Sequence, residues 1–328
     1  MELRTLTHGS YPRIGSTPEE QILRKTIAQL DRGEKTEADV HAAEDRVAAL
    51  ALAEQDAADI DVVTDGLVRW YDPVSHLAGK LAGVRIGGLL RFFDTNFYFR
   101  QPVVEGKIVR TQPLVLDEYQ WAAKKAVRPV KPVLTGPYTL ARLSLREPGA
   151  PSFEATVEAM ADALAAEVAA LAGAGARLIQ IDEPALLQYP RDVRMAAEAF
   201  GRIAAYKGRA ELALALYFGD AVPLYKTLLA WPADVLLLDF TYSPDLPLVV
   251  AGEACGRQIG FGLLDGRNTR LEDRTLVLRQ LEAMLHKCQA PRAYLTTSCG
   301  LEYLPRDRAR AKLQHLGALK REFAGGMQ

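Results

Sequence analysis

The sequence predicts an α/β fold, a (β/α)8 TIM barrel with a β-hairpin excursion after the second strand. Short apolar runs recur along the 328 residues. Most of these runs are followed by a helical pattern, and polar residues stand where the runs end. Strands that alternate with helices form parallel sheets. A barrel of eight such units fits this chain length, and it carries its chemistry at the carboxyl ends of the strands.

The apolar runs have the short lengths of buried parallel strands, and the segments between them show helical periodicity. We predict strands at residues 3–8, 60–64, 132–135, 177–182, 212–217, 234–239, 258–264 and 293–297. We predict helices at residues 19–32, 153–172, 192–206, 221–230, 247–255, 272–287 and 306–323. A doubly wound open sheet is the alternative fold. It requires a glycine-rich phosphate-binding turn after the first strand, which this sequence lacks.

Two segments depart from the simple repeat. Residues 34–59 have the pattern of a second charged helix. Residues 78–107 are rich in Gly, Phe, Tyr and Arg and alternate strongly at 91–100, which predicts the β-hairpin. Its aromatic residues at 92–99 are expected to pack in the core or in an interface, and they are a candidate contact for a homodimer. Since no linker or repeat divides the chain, we expect residues 1–328 to form one domain.

Composition excludes several classes of protein. The net charge of −1 gives no reason to expect nucleic acid as a partner. The three cysteines are widely spaced and odd in number, which favours a reducing compartment over a disulfide framework. No apolar run is long enough for a membrane span, and no signal region precedes the first predicted strand. We therefore expect a cytoplasmic protein that acts on a small molecule.

The most informative stretch lies at the end of the fourth predicted strand. There an apolar run ends abruptly in Asp182 and Glu183, and Pro184 cannot continue the ladder. Two adjacent carboxylates at such an edge require cationic or metal partners, or else their pKa values shift, and either outcome is usual at a working site. The alternative is that Asp182 caps the next helix while Glu183 faces solvent.

Polar residues stand at the ends of all the predicted strands. They include His8, Ser10, Thr64, Asp65, Thr135, Asp182, Glu183, Tyr217, Asp239, Asp265, Arg267, Asn268, Ser298, Cys299 and Glu302. Packing alone does not require this convergence. It favours an enzyme or a protein that binds a polar small molecule.

Several motifs at these strand ends share their order with one known family. They are Tyr11-Pro12-Arg13-Ile14-Gly15-Ser16, Thr64-Asp65-Gly66 with Arg69-Trp70, Leu134-Thr135-Gly136-Pro137-Tyr138-Thr139-Leu140, Ile181-Asp182-Glu183-Pro184-Ala185-Leu186, Asp265 with Arg267-Asn268-Thr269, and Ser298-Cys299-Gly300-Leu301-Glu302-Tyr303-Leu304-Pro305-Arg306. The set resembles the catalytic barrel of cobalamin-independent methionine synthase, in its short, single-barrel form. The resemblance spans nearly the whole chain and implies a (β/α)8 barrel.

This resemblance implies a methyltransferase that methylates the sulfur of homocysteine and activates the thiol with zinc held by one His, two Cys and one Glu. Here the His and first Cys positions correspond to Ala215 and Tyr217, and the Glu position to Asp239. Cys299 matches the second Cys. One thiolate and one carboxylate do not complete a zinc site. We expect zinc to be absent, or held in a rebuilt site in which His8 or Glu183 joins Cys299 and Asp239.

The family also holds the amino-acid substrate by its charged groups. Asp182, Ile14 and Ser16 correspond to parts of that clamp, whereas a further acid is replaced by Leu67. We expect Asp182 to bind the ammonium group of the substrate, helped by Ser16 and the neighbouring backbone. Asp65 and Arg69 are predicted to orient the substrate or the residues around it.

The methyl donor is not determined by the resemblance. Short members of the family are associated with a corrinoid protein or another donor in place of methyl-folate. The family's donor-side His has no match in this chain, where Arg267 and Asn268 stand in the same region. Arg267, with Arg270, is a candidate to hold an anionic donor, although both arginines also suit an exposed surface.

Three functions stay open at this stage. The first is methyl transfer to homocysteine or a related acceptor with a degenerate or rebuilt metal site. The second is a zinc-independent group transfer to a non-thiol, amino-acid-like acceptor, with Asp239, Glu183 and Tyr217 as acid–base groups and Cys299 at the floor of the site. The third is a non-catalytic barrel that binds a small molecule.

Overall fold

A parallel seven-stranded sheet forms the centre of the computed structural model, which describes residues 1–253 and 255–326. The strands of the protein are β1 Glu2–Thr5, β2 Leu81–Arg91, β3 Tyr98–Arg110, β4 Val133–Thr135, β5 Leu145–Arg146, β6 Leu178–Asp182, β7 Glu211–Leu216, β8 Val235–Asp239, β9 Gln258–Leu264 and β10 Arg292–Thr297. The order in the main sheet is β1-β10-β9-β8-β7-β6-β4, and every neighbouring pair is parallel. The sequence prediction of an α/β fold with a parallel sheet is confirmed.

Helices follow most of the strands, as predicted. They are α1 Ile22–Asp31, α2 Glu37–Ala57, α3 Ser75–Ala78, α4 Leu116–Lys125, α5 Pro137–Leu143, α6 Phe153–Gly173, α7 Val193–Ala204, α8 Tyr225–Leu228, α9 Leu246–Gly252, α10 Arg274–Leu285 and α11 Arg306–Gly326. The helix predicted at 221–230 is a 3-10 turn, Val222–Leu224, followed by α8. The helix predicted at 247–255 crosses Ala254, which lies outside the described residues. None of the helices in the described ranges has the length and apolar character needed to cross a membrane.

The strand predicted at 60–64 is reduced to two isolated bridges. Val62 pairs with Leu6, just beyond β1, and Val63 pairs with Val130, just before β4. The prediction of a full strand is wrong because the side chain of Gln55, and not a neighbouring strand, pairs with the backbone of Thr64. Gln55 accepts a hydrogen bond from Thr64 N at 3.0 Å and donates one to Thr64 O at 2.8 Å.

The predicted hairpin is confirmed. Strands β2 and β3 pair antiparallel, and the short strand β5 adds to β3 to make a three-stranded sheet. Its tip packs over the carboxyl end of β7, since the rings of Phe92 and Phe93 lie 6.2 Å and 5.8 Å from that of Phe218. The backbone N–H of Arg100 donates to Asp72 at 3.1 Å and ties the hairpin to the loop before α3.

One buried carboxylate joins the hairpin to the outer helices. Glu167 lies in the middle of α6 and is completely buried. It accepts hydrogen bonds at 2.8 Å from the backbone N–H groups of Val115 and Leu116, at the start of α4. Its other oxygen pairs with the guanidinium group of Arg110, at the end of β3, at 2.6 Å. This carboxylate therefore fixes where the chain turns from β3 into α4.

We predict that Glu167→Ala lowers the free energy of unfolding by about 3–5 kcal/mol, because it leaves a partly buried guanidinium group and two backbone donors without an acceptor. Urea denaturation followed by circular dichroism measures the change. Glu158→Ala, on the exposed face of the same helix, is the matched control and should change stability by less than about 0.5 kcal/mol. Equal effects of the two substitutions would contradict the role assigned to Glu167.

Candidate active site

A pocket opens at the carboxyl ends of the parallel strands, where the sequence predicts the site. About 440 Å³ of empty space lies between its walls, and part of that space is open solvent. Its lining residues are His8, Gly9, Ser10, Leu67, Trp70, Asp72, Pro73, Asp182, Tyr217, Gly300, Glu302 and Tyr303. Two predicted site residues, Asp182 and Tyr217, are among them. The pocket therefore combines carboxylates and hydroxyls with an apolar wall, as small-molecule sites do.

Asp182 is the last residue of β6 and is only 8% exposed. Gln180 donates a hydrogen bond to its Oδ1 at 2.7 Å, and the hydroxyl of Tyr217 donates to its Oδ2 at 3.1 Å. Burial raises the pKa of Asp182, whereas the hydrogen bonds from Gln180 and Tyr217 and the charge of Lys131 favour the ionised form. Asp182 is thus a positioned carboxylate that faces the pocket, in agreement with its predicted place.

Lys131 supplies the buried positive charge behind Asp182. Its ammonium group donates to the carbonyl oxygen of His8 at 2.9 Å and to the side-chain oxygen of Gln180. Burial lowers the pKa of Lys131, and the charge of Asp182 opposes that shift. Lys131 is not among the site residues predicted from the sequence. Its one sequence signal is its place in the apolar run that leads into β4, because a charged residue there is buried only if it has partners.

His8 forms the wall of the pocket beside Tyr217. The two rings meet edge to face with their centroids 5.1 Å apart. His8 is 3% exposed, and burial lowers its pKa to about 3, with a further contribution from the charge of Lys131. The imidazole is therefore neutral at physiological pH.

Glu302 is a second carboxylate of the pocket, and it follows β10. Burial raises its pKa, against smaller opposing effects of Ser10, Tyr303 and Arg13. Glu302 and Ser10 are among the polar residues predicted at the strand ends, but the sequence predicts no role for either. Ser10 and Glu302 both line the pocket. Asp182, at the end of β6, lines it as well.

Glu183 turns away from the pocket lining and holds the start of α5. It accepts hydrogen bonds from the backbone N–H groups of Tyr138 at 3.0 Å and Thr139 at 2.7 Å, and from the Thr139 hydroxyl at 2.6 Å. Burial raises its pKa to about 7, although these hydrogen bonds oppose the shift. A side chain on Gly136 would collide with this carboxylate, since an added Cβ would lie 2.3 Å from it.

Asp239 and Cys299 lie beneath the site and outside the pocket lining. Asp239 accepts hydrogen bonds from the backbone N–H groups of Thr241 at 2.8 Å and Phe218 at 3.3 Å, so it shapes the turn after β8. The Cys299 sulfur lies 3.4 Å from the carbonyl oxygen of Gly300. Burial, together with the charge of Asp239, raises the pKa of Cys299 far above its ordinary value, which favours the thiol over the thiolate.

The other predicted substrate-binding residues do not line the pocket. Ile14 is 43% exposed, and the backbone N–H of Ser16 donates to Glu20 at 2.9 Å, in the loop before α1. Asp65 lies in a separate small cavity, where burial raises its pKa to about 6. Arg69 lies 3.7 Å from Asp65, in the wall behind Trp70.

Arg267 and Asn268, the predicted cofactor-binding residues, lie at the rim. The Arg267 guanidinium pairs with Asp94 of the hairpin tip at 2.8 Å and lies over the Tyr242 ring, 4.9 Å from its centroid. Asn268 accepts a hydrogen bond from the backbone N–H of Arg270 at 3.0 Å. In this arrangement Arg267 holds the hairpin tip against the loop after β9.

The residues that correspond to the family's zinc ligands are Ala215, Tyr217, Asp239 and Cys299. Ala215 carries no ligand atom, and the Tyr217 hydroxyl donates to Asp182. The carboxylate of Asp239 accepts hydrogen bonds from backbone N–H groups. Within residues 1–253 and 255–326, no group of three or more His, Cys, Asp or Glu side chains has the arrangement of a metal site.

Comparison with known families identifies a match over most of the chain. The family described as cobalamin-independent synthase, catalytic domain, matches residues 10–321. A methionine synthase of Sulfurisphaera tokodaii is 30% identical over 308 residues, which cover 92% of this chain and 89% of that protein. A 5-methyltetrahydropteroyltriglutamate–homocysteine methyltransferase of a Synechococcus species is 31% identical over 92% of this chain, but this match covers only 40% of that longer protein.

Solved structures agree with the fold. A B12-independent methionine synthase from a Shewanella species, in complex with selenomethionine, superposes with a TM-score of 0.81 at 22% identity, and covers 100% of this chain and 99% of that chain. A second structure, of a protein from Listeria monocytogenes, has a TM-score of 0.75 at 16% identity over 96% of both chains. At these identities the likeness establishes the fold alone.

We predict that His8 makes the protein sensitive to acid. Its folded-state pKa of about 3 lies below the ordinary value of 6.5, so the unfolded state binds the proton more readily and stability falls as the pH drops through this window. Between pH 7 and pH 4.5, wild-type protein should lose about 2–3 kcal/mol more than His8→Asn, at 1.36 kcal/mol per pKa unit. Urea denaturation at both pH values measures this difference. An NMR spectrum showing His8 protonated at pH 5 would contradict the prediction.

Proposed function

Because the chain belongs to the cobalamin-independent methionine synthase family, whose catalytic domain matches most of its length, we propose that it transfers a methyl group to a small amino-acid-like acceptor held by Asp182. The observation that carries this proposal is the buried carboxylate of Asp182 in the lining of the pocket. Gln180 and Tyr217 each occupy one of its oxygens and leave lone pairs for a ligand. A carboxylate held in this way suits an ammonium group.

The proposal includes closure of the sheet into a (β/α)8 barrel. The main sheet supplies seven strands, and the segment at Val62 and Val63 hydrogen-bonds to the chain beyond both edges. Lys131 N donates to Val63 O at 2.8 Å, and Thr7 N donates to Val62 O at 3.0 Å. These contacts support an eighth position between β1 and β4. Such closure would bring Ser10 and Glu302 towards Asp182 around a single pocket.

We infer that the reaction does not use zinc in the family's manner, and the support is that Ala215 and Tyr217 stand at two of the four ligand positions of the family. The acceptor atom would attack the methyl carbon with its lone pair, and the bond between that carbon and the donor would break, leaving the electron pair on the donor. The acceptor must also lose a proton. Glu302 is the proposed recipient, because burial raises its pKa towards that of a useful general base and it lines the pocket.

One observation favours a non-thiol acceptor as a second candidate function. Tyr217 fills the place of a metal ligand with a ring and a hydroxyl, and burial raises the pKa of that hydroxyl far above its ordinary value. A neutral hydroxyl can orient an amine or an oxygen acceptor without a metal. Homocysteine or a related thiol stays the first candidate by family membership. A methyl-corrinoid protein and methyl-folate are the two candidate donors.

We predict that Asp182→Asn abolishes recognition of the ligand's ammonium group while the fold is kept. Removal of one partner from a buried charge pair costs about 2–5 kcal/mol, so the affinity for L-methionine should fall at least about 30-fold. Calorimetric titration with L-methionine and with 4-(methylthio)butyrate, which lacks the ammonium group, measures the effect. The second ligand should bind both proteins equally.

The matched control is Asp245→Asn, an exposed acid before α9. It should bind L-methionine as the wild type does, and circular dichroism should show both variants folded. Unchanged affinity of the Asp182→Asn protein for L-methionine would remove Asp182 from the site.

We predict that the purified protein holds less than about 0.1 zinc ion per chain, whereas the double variant Ala215→His with Tyr217→Cys acquires about one. The two substitutions restore the His and Cys of the family beside Asp239 and Cys299, which completes a four-ligand site. Elemental analysis after dialysis without chelator measures the content. In the wild-type background, Cys299→Ser should leave the zinc content unchanged. One tightly held zinc per wild-type chain, lost in Cys299→Ser, would overturn this part of the proposal.

A further inference from the structure

Arg13 has buried N–H donors that lack a hydrogen-bond acceptor among the described residues. Its Nε and Nη2 atoms are buried and have no hydrogen-bond partner in the described part of the chain. Arginine stays charged under all ordinary conditions, so these are unsatisfied donors of a cation. Leaving such donors unpaired costs free energy, and a protein that keeps them usually has a use for them. Burial lowers the pKa of Arg13, which reflects the same cost.

A second arginine shares the same aromatic ring. The Cζ atom of Arg13 lies 5.1 Å from the centroid of the Tyr71 ring, and that of Arg100 lies 4.7 Å from it. The positive charge of Arg100 acts against that of Arg13. Tyr71 is 54% exposed and Arg100 is exposed, whereas Arg13 is half-buried beneath the ring with two of its nitrogens buried. Two positive charges, those of Arg13 and Arg100, therefore lie close together over the Tyr71 ring. An anion bound between them would relieve their repulsion.

Nearby carboxylates do not neutralise this pair. Glu44 and Glu302 are close enough to act on the charge of Arg13, but neither accepts a hydrogen bond from its buried nitrogens. The other arginine at the rim, Arg267, already pairs with Asp94. The two arginines on Tyr71 are therefore the better place at this end of the molecule for an anionic ligand.

Both arginines are connected to residues that line the pocket, although neither lines it. The charge of Arg13 acts on Glu302, and the backbone N–H of Arg100 donates to Asp72 at 3.1 Å. A ligand that extends from the pocket past Glu302 or Asp72 would therefore approach the two guanidinium groups.

We propose that Arg13 and Arg100, with Tyr71 between them, form an oxyanion-binding site at the mouth of the pocket for a ligand that carries a carboxylate or phosphate group. The planar guanidinium group matches both kinds of oxyanion through paired hydrogen bonds. The site serves whichever ligand reaches the mouth, and it does not depend on Asp182 or on the identity of the methyl acceptor.

Thermal denaturation of the full chain tests the site. The probes are inorganic phosphate and glutarate, each compared with sodium chloride at the same ionic strength. Because a ligand that binds only the folded state stabilises it, each oxyanion that binds should raise the melting temperature by at least about 2 °C. Arg13→Gln and Arg100→Gln should each lose this rise. Arg146→Gln is the matched control, since Arg146 is exposed on the same three-stranded sheet and lies 5.3 Å from the Phe153 ring.

The outcomes separate clearly. A rise with phosphate alone assigns a phosphate-bearing ligand, and a rise with glutarate alone assigns a carboxylate-bearing one, provided that Arg146→Gln keeps the rise in either case. No rise with either probe, or a rise that survives Arg100→Gln, would overturn the site. Arg100 is exposed, so its substitution tests the proposal even if Arg13→Gln fails to fold. Asp182→Asn should keep the rise, which distinguishes failure of this site from failure of the proposed acceptor site.

Discussion

The structure of the site depends on one buried ammonium group, that of Lys131. The backbone N–H of Lys131 donates to the carbonyl oxygen of Val63. Its ammonium group donates to the carbonyl oxygen of His8 and to the side-chain oxygen of Gln180, and the amide of Gln180 in turn donates to the carboxylate of Asp182. A single residue therefore connects the chain beyond β1, the segment before α3 and the ends of β4 and β6. A buried ammonium is tolerated only with such partners. The contacts that stabilise the buried ammonium group of Lys131 also position the carboxylate of Asp182 at the pocket.

Tyr217 connects the carboxylate of Asp182 to the aromatic residues around the pocket. Its hydroxyl donates to Asp182, and its ring packs against His8 and against Phe218. A cysteine at this position would leave the carboxylate of Asp182 without that donor. Tyrosine therefore supports the acceptor clamp, where the family pattern has a metal ligand. The third carboxylate of the pocket, Asp72, accepts backbone hydrogen bonds at the start of α3, which leaves Asp182 and Glu302 for the proposed binding and proton transfer.

Sequence patterns predicted the strands, the hairpin and the position of Asp182 because these follow from local periodicity and from where apolar runs end. They could not show which distant groups would share a contact. The strand at 60–64 is interrupted by Gln55, the predicted base Glu183 is occupied by the start of α5, and Lys131 has no sequence signal beyond being a charge in an apolar run. The contacts of Glu183 and Lys131 join residues far apart in the chain, and that of Gln55 joins a helix to the segment after it, so short motifs do not reveal them.

The charges around the pocket give it a direction. Three carboxylates, those of Asp72, Asp182 and Glu302, line the pocket, whereas the proposed oxyanion site of Arg13 and Arg100 adds positive charge beside it. A ligand with a cationic group at one end and an anionic group at the other would then enter in a single orientation, because the reverse places like charges together. Under the proposed function, this orientation would fix the direction in which the acceptor atom approaches the methyl carbon.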